Sequence, residues 1–195
     1  MKNNLAELRS IDINLDVLQA EWVKLVTYQS EYKWGGTGGR NFVEFSFFTL
    51  YFQQLLLDIE NVLGEKPKNY IIQMHDPALV VNDKWYLNIP HQDYDRKTCI
   101  NIPVYYNRIE PVNFFSMDVI KEYEKKNSKI GTRRYVGMSP EQVGQYSDQH
   151  PTLMNVNNYH NVRVIDESQP RIFIQMSYDL SFEYLVSKDM NICIY

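Results

Sequence analysis

Residues 91–106 read HQDYDRKTCINIPVYY, and their reading decides the fold. Thr98 to Tyr106 is an apolar run rich in β-branched and aromatic side chains. It reads as a core strand, with Pro103 suggesting a strand end or an edge. Ahead of it stand His91 and Asp93. On extended backbone, side chains two residues apart leave the same face. Trp85–Ile89 is another short apolar run, closed by Pro90, so the pair is expected at a strand-to-loop rim that faces a cavity. Two imidazoles and one carboxylate form the donor set that grips one face of a ferrous ion and leaves other positions open. The third donor must come from a distant strand, which requires the sheet to curl back on itself.

His150 and His160 are the candidates for that donor. His150 lies in a polar turn before Pro151. His160 opens the alternation of Val162 and Val164, as a residue at a barrel mouth would, and is preferred. His75 is followed directly by Asp76, and adjacent residues on a strand point to opposite faces, so His75 is read as structural. Of the arginines downstream, Arg163 is three residues beyond His160 and should face away. Arg171 opens the next strand after the turn 166–170. As part of an antiparallel neighbour of the His160 strand it would reach the cavity, where a guanidinium can fork onto a carboxylate.

Outward from this centre the chain divides into helices and then strands. Leu15–Val26 has apolar residues at helical spacing, with Asp12, Asn14 or Asp16 available as an N-cap. The stretch Trp34–Arg40 (WGGTGGR) is glycine-rich, but lacks the Gly-Lys-Ser/Thr of a phosphate loop, and is expected to be a surface loop. Asn41–Leu63 is expected to be one long helix ended by Gly64, with Phe45, Phe48, Phe52, Leu55, Leu56, Ile59 and Val62 on a core-facing stripe. Tyr70–Met74, Asn155–Val164 and Pro170–Leu185 read as strands, Lys121–Lys129 as a solvated helix end or loop, and 137–152 as a turn-rich connection. The expected architecture is mainly β with supporting helices, a helix-supported β-sandwich or jelly roll. It forms one domain over residues 1–195, with helical support over about 1–68 and the β core over about 69–187.

Composition sets the limits. The 195 residues suffice for one sizeable core, and 44% apolar with 23% charged residues is ordinary globular usage. Fifteen tyrosines and nine phenylalanines predict a thick aromatic core. A net charge of −4 gives no field that favours nucleic acid or an anionic membrane. Cys99 and Cys193 read as reduced thiols. No segment looks like a signal peptide or a membrane span, so a cytoplasmic location is expected.

HQDYDRKTCINIPVYY (91–106) together with NVNNYHNVRVIDESQPRIFIQMSY (155–178) resembles the core of the 2-oxoglutarate/Fe(II)-dependent dioxygenases. The phrase from His91 through Asp93 and Arg96 to Asn101-Ile-Pro103 is most similar to the aspartyl/asparaginyl β-hydroxylase-like branch and to small uncharacterised members of that superfamily. The match spans roughly residues 85–185. The resemblance implies a double-stranded β-helix, a cupin-like jelly roll. It implies Fe(II) on His91, Asp93 and His160, and the C5 carboxylate of 2-oxoglutarate on Arg171. It also implies hydroxylation with dioxygen and release of succinate and carbon dioxide. Many members carry serine two residues after that arginine. Phe173 stands there in this chain, so the second anchor must come from elsewhere, with a tyrosine such as Tyr86 or the polar side chain of Asn101 as candidates. Arg96 either reaches the cosubstrate or substrate, or pairs with Asp95 or a neighbour. The substrate expected is polar, a protein side chain or a small metabolite, with the loops Trp34–Arg40 and Ile130–His150, including Tyr146, at its entrance. The alternative is a cupin-like shell that binds a metal or small acid without catalysis.

Overall fold

The computed structural model describes residues 3–34, 40–75, 90–106, 111–127, 138–162, 170–189 and 191–194. Within them the chain forms strands β1 (Leu5–Glu7), β2 (Arg40–Val43), β3 (Asn69–His75), β4 (Thr98–Tyr105), β5 (Val112–Phe115), β6 (Gln142–Gly144), β7 (Thr152–Asn155), β8 (Tyr159–Val162), β9 (Arg171–Tyr178) and β10 (Cys193–Ile194). The helices are α1 (Leu15–Tyr28), α2 (Leu50–Leu63), α3 (Met117–Asn127) and α4 (Phe182–Val186). All strand pairings are antiparallel. One sheet has seven strands in the order β10-β1-β7-β4-β9-β3-β2, and a second has three in the order β6-β5-β8.

The helices begin and end where local chemistry dictates. Asn14 caps α1, its side-chain oxygen accepting from the backbone N–H groups of Asp16 and Val17 at 3.0 and 3.3 Å. Thr49 caps α2 by accepting from Phe52 N–H. Gly64 ends α2 at φ +65°, a left-handed conformation that an L side chain adopts only at a cost.

Alternation along the central strands sorts their side chains onto two faces. Ile172, Ile174 and Met176 of β9, with Ile100, Ile102 and Val104 of β4, pack beneath Leu18, Trp22 and Leu25 of α1 and Phe52, Leu56 and Ile59 of α2. On the other face Cys99, Met154 and Phe173 meet Val112, Phe114 and Val162 of the three-stranded sheet. The result is three layers: helices, a large sheet and a small sheet.

Four expectations from sequence need correction. Asn41–Leu63 is not one helix. Residues 40–43 pair with β3 (Phe42 opposite Ile71, Val43 opposite Tyr70), Phe45–Phe47 is a single 3-10 turn, and α2 starts only after Thr49. Sheet pairing here overrides a stripe that also fits helical spacing. The first 68 residues are therefore not purely helical support, since β1 and β2 join the large sheet. Pro170–Leu185 is strand only to Tyr178, after which Ser181 caps α4 through its hydroxyl. Asn155–Val164 is interrupted between β7 and β8, and residues 163–169 lie outside those described, as do Trp85–Ile89 and residues 35–39. The expected strands at Tyr70–Met74 and Thr98–Tyr106 form, and Pro103 lies beyond the four β4 residues that pair with β7, next to a register shift against β9.

Candidate metal centre

His91 and His160 form an isolated antiparallel bridge, exchanging N–H···O bonds of 2.9 Å in both directions. Directly opposed residues of this kind share a face, and their rings lie with centroids 4.5 Å apart. The bridge adds His91 to the edge of the small sheet beside β8. Asp93 is fixed by its backbone N–H, which donates to Val156 O at 3.0 Å, and its Oδ1 lies 3.8 Å from His91 Nε2. One donor atom from each of His91, Asp93 and His160 lies within 4.8 Å of the others, the only such His/Cys/Asp/Glu group of three among the described residues.

The protonation states suit metal binding. His160 Nδ1 is 2.9 Å from the Asn158 carbonyl, which can only accept; Nδ1 therefore carries the proton and Nε2 keeps its lone pair. Burial, then the charge of His91, lowers the His160 pKa to about 4, so the ring is neutral at physiological pH. Burial alone would raise the Asp93 carboxyl. The guanidinium groups of Arg96 and Arg40 outweigh it and hold the carboxyl well below the usual range. Arg96 Nε donates to Asp93 Oδ2 at 2.8 Å, and Arg40 Nη2 donates to Oδ1.

Behind this carboxylate runs a buried polar layer. Arg96 Nη1 donates to Gln175 Oε1 at 3.0 Å, and Gln175 Nε2 donates to Asn101 Oδ1 and Gln73 Oε1 at 2.6 and 2.7 Å. Each member satisfies another, as a buried network requires. Cys99 sits beside it, and burial pushes its thiol up, so it stays neutral.

Arg171 approaches from the large sheet, where β9 lies between β4 and β3. It is not on a neighbour of the His160 strand, as expected, because the chain passes from one sheet to the other between β8 and β9. It nonetheless lines the same cavity as the triad. Its guanidinium lies 4.4 Å from the Phe173 ring centroid and 5.8 Å from that of Tyr146, whose hydroxyl donates to Met154 Sδ at 3.7 Å. Burial raises the Tyr146 pKa to about 12, so this hydroxyl remains protonated.

The other sequence candidates fall as follows. Arg96 is an internal partner of Asp93, and Asn101 belongs to the Gln175 layer, its amide nitrogen 3.3 Å from Cys99 Sγ. Tyr86 and Arg163 lie outside the described residues. His150 is held away from the cluster by Ile11 O at 3.0 Å. Sequence reading put both Arg40, at the end of the loop Trp34–Arg40, and Tyr146 at the entrance, not beside Asp93 and Arg171. Nothing local in Arg40-Asn-Phe-Val43 marks Arg40, since the buried position of that strand is the polar Asn41 and the exposed one is Phe42.

The cavity between these side chains has a volume of about 20 Å³, room for an ion or a single water. The donor set, the neutral His160 and the ionised Asp93 fit a divalent cation with nitrogen and oxygen preference. No protein-family model and no curated protein matches the chain. No helix among the described residues is long and apolar enough to cross a membrane.

Proposed function

We propose that this chain is a non-haem Fe(II)- and 2-oxoglutarate-dependent dioxygenase that hydroxylates a polar substrate. The observation that carries the proposal is the meeting of His91, Asp93 and His160 in one cavity with Arg171. The strand order supports the framework. Starting at β3 and counting the His91 bridge as a strand, the chain runs large sheet, small sheet, large (β4), small (β5 and β6), large (β7), small (β8), large (β9). That winding, with the orders β7-β4-β9-β3 and β6-β5-β8-His91, supports reading the two sheets as a double-stranded β-helix.

In this reading His91, Asp93 and His160 hold the iron, and Arg171 forks onto the distal carboxylate of the cosubstrate. Tyr146, whose ring lies beside the Arg171 guanidinium, offers the second donor that Phe173 cannot. Iron held there supplies the oxidative chemistry that couples decarboxylation of 2-oxoglutarate, giving succinate and carbon dioxide, to hydroxylation of a C–H bond. Phe173 and the apolar cluster around it keep that side of the cavity dry. A five-carbon diacid is larger than the cavity, so cosubstrate binding requires side chains at its wall to move.

The test loads the protein anaerobically with Fe(II), adds 2-oxoglutarate and oxygen, and measures succinate. Slow turnover is expected in the parent protein, none in His91→Ala, and turnover only at much higher cosubstrate concentration in Arg171→Ala. One observation favours a second reading, a binding protein without catalysis: both oxygens of Asp93 carry a guanidinium. Folded, iron-loaded protein that neither binds 2-oxoglutarate nor forms succinate would establish that second reading.

A further inference from the structure

We infer that Arg40 is a built-in competitor of the metal ion, drawing on the same oxygen of Asp93 and passing to Asp95 when the ion binds. This rests on the reading of His91, Asp93 and His160 as a metal centre. Three observations carry it. The oxygen of Asp93 that faces His91 Nε2, at 3.8 Å, is Oδ1, and Oδ1 is the atom that Arg40 Nη2 holds. The other oxygen is taken by Arg96, whose side chain is 2% exposed and tied through Gln175 to the core of the sheet. Arg40, by contrast, is 21% exposed on the edge strand β2, and its Nη1 is already 3.6 Å from Asp95 Oδ1, a carboxylate 43% exposed.

Charge decides which of the two arginines yields. A single carboxylate between two guanidinium groups is already over-neutralised, and a divalent ion on the same oxygen adds two further positive charges in a poorly solvated place. Arg96 cannot leave without stranding Gln175 and a buried cation. Arg40 can leave, because a partner of the right sign stands beside it and water reaches it. Its opposite residue across β2 and β3 is Gln73, an uncharged side chain that does not oppose the motion. Metal affinity is thereby set below what two imidazoles and a carboxylate would give alone, and Asp95 tunes it in the opposite direction.

The experiment titrates the folded full chain with Co(II), read by its visible absorption bands, in the parent, Arg40→Gln, Asp95→Asn and His91→Ala. Thermal unfolding of each variant is recorded beside it. Competition predicts that Arg40→Gln tightens Co(II) binding by about tenfold or more, since a cation a few ångströms from a divalent ion is removed. It predicts that Asp95→Asn weakens binding several-fold and that His91→Ala abolishes it. Unchanged or weaker binding in Arg40→Gln overturns the inference and makes Arg40 an orienting partner of Asp93, while leaving the metal centre intact. If parent and Arg40→Gln both unfold cooperatively yet neither binds Co(II), the metal-centre reading fails and takes the inference with it.

Discussion

Two neighbours on β9, Ile174 and Gln175, stand at the same depth in the same sheet and serve opposite ends. Ile174, with Ile172 and Met176, faces α1 and α2 in a layer made almost wholly of aliphatic and aromatic side chains. Gln175, with Arg171 and Phe173, faces the small sheet, where six polar side chains from four strands and a loop, Asp93 among them, bond to one another. The helix side is non-directional and tolerates repacking. The cavity side is directional, and its stability depends on every donor meeting an acceptor. One face keeps the sheet folded; the other holds a carboxylate ionised and an imidazole neutral where an ion could use both.

The strongest challenge to this division is Ile174→Ala. Truncating a fully buried aliphatic side chain costs about 2–5 kcal/mol, through lost transfer energy and the cavity left behind. Urea unfolding should show that loss, while Co(II) affinity measured below the transition stays within about twofold. A large fall in affinity would mean that the two faces are mechanically coupled and the division is wrong.

A smaller effect, specific to the cavity side, comes from pH. In the fold His160 has its pKa lowered to about 4, against an ordinary histidine value of 6.5 in the unfolded chain. A depressed pKa means that the unfolded chain binds the extra proton first. The contribution is therefore complete above pH 6.5 and is lost as pH falls from there to about 4. It is worth on the order of 3 kcal/mol, at about 1.4 kcal/mol for each tenfold change in proton affinity. Stability measured in chelator across that window should decline in the parent and decline much less in His160→Gln. Asp93 contributes to the decline only at the lower end of that window, because its own loss begins as pH falls to the ordinary carboxylate value of 3.8 and continues below it. Parallel profiles in the two proteins would remove His160 as the source.

How far the sequence disclosed all this follows the same division. Apolar periodicity revealed α1, β3, β4 and the start of β9, since buried faces impose a period that a single chain displays. His91, Asp93, His160 and Arg171 were legible because few side chains can serve as metal or carboxylate partners and their spacing is restrictive. Arg40 was not. Its importance comes from β2 pairing with β3, a contact between residues roughly thirty positions apart that leaves no local trace. The same holds for Gln175, an amide within an apolar strand whose partners, Asn101 and Arg96, become neighbours only once β4 and β9 pair.

Gln175→Leu is the smallest of the expected stability effects and the sharpest probe of the comparison. The change keeps the volume nearly constant and removes one acceptor and two donated bonds, so Arg96 Nη1 loses its partner and Asn101 Oδ1 and Gln73 Oε1 lose theirs. A buried polar group stranded in this way costs about 1–3 kcal/mol, less than the truncation of Ile174 next to it. Its effect on the site should be the greater of the two. Arg96 is no longer braced, Asp93 Oδ2 is less firmly held, and Co(II) affinity falls by about tenfold, the usual scale for a lost partner behind a metal ligand. Greater destabilisation with less change in affinity is the signature expected of Ile174→Ala, and the reverse is expected of Gln175→Leu. If both variants lose stability and affinity in the same proportion, the cavity face is ordinary core that happens to contain polar atoms. If the signatures separate, the polar layer exists to hold Asp93 in position.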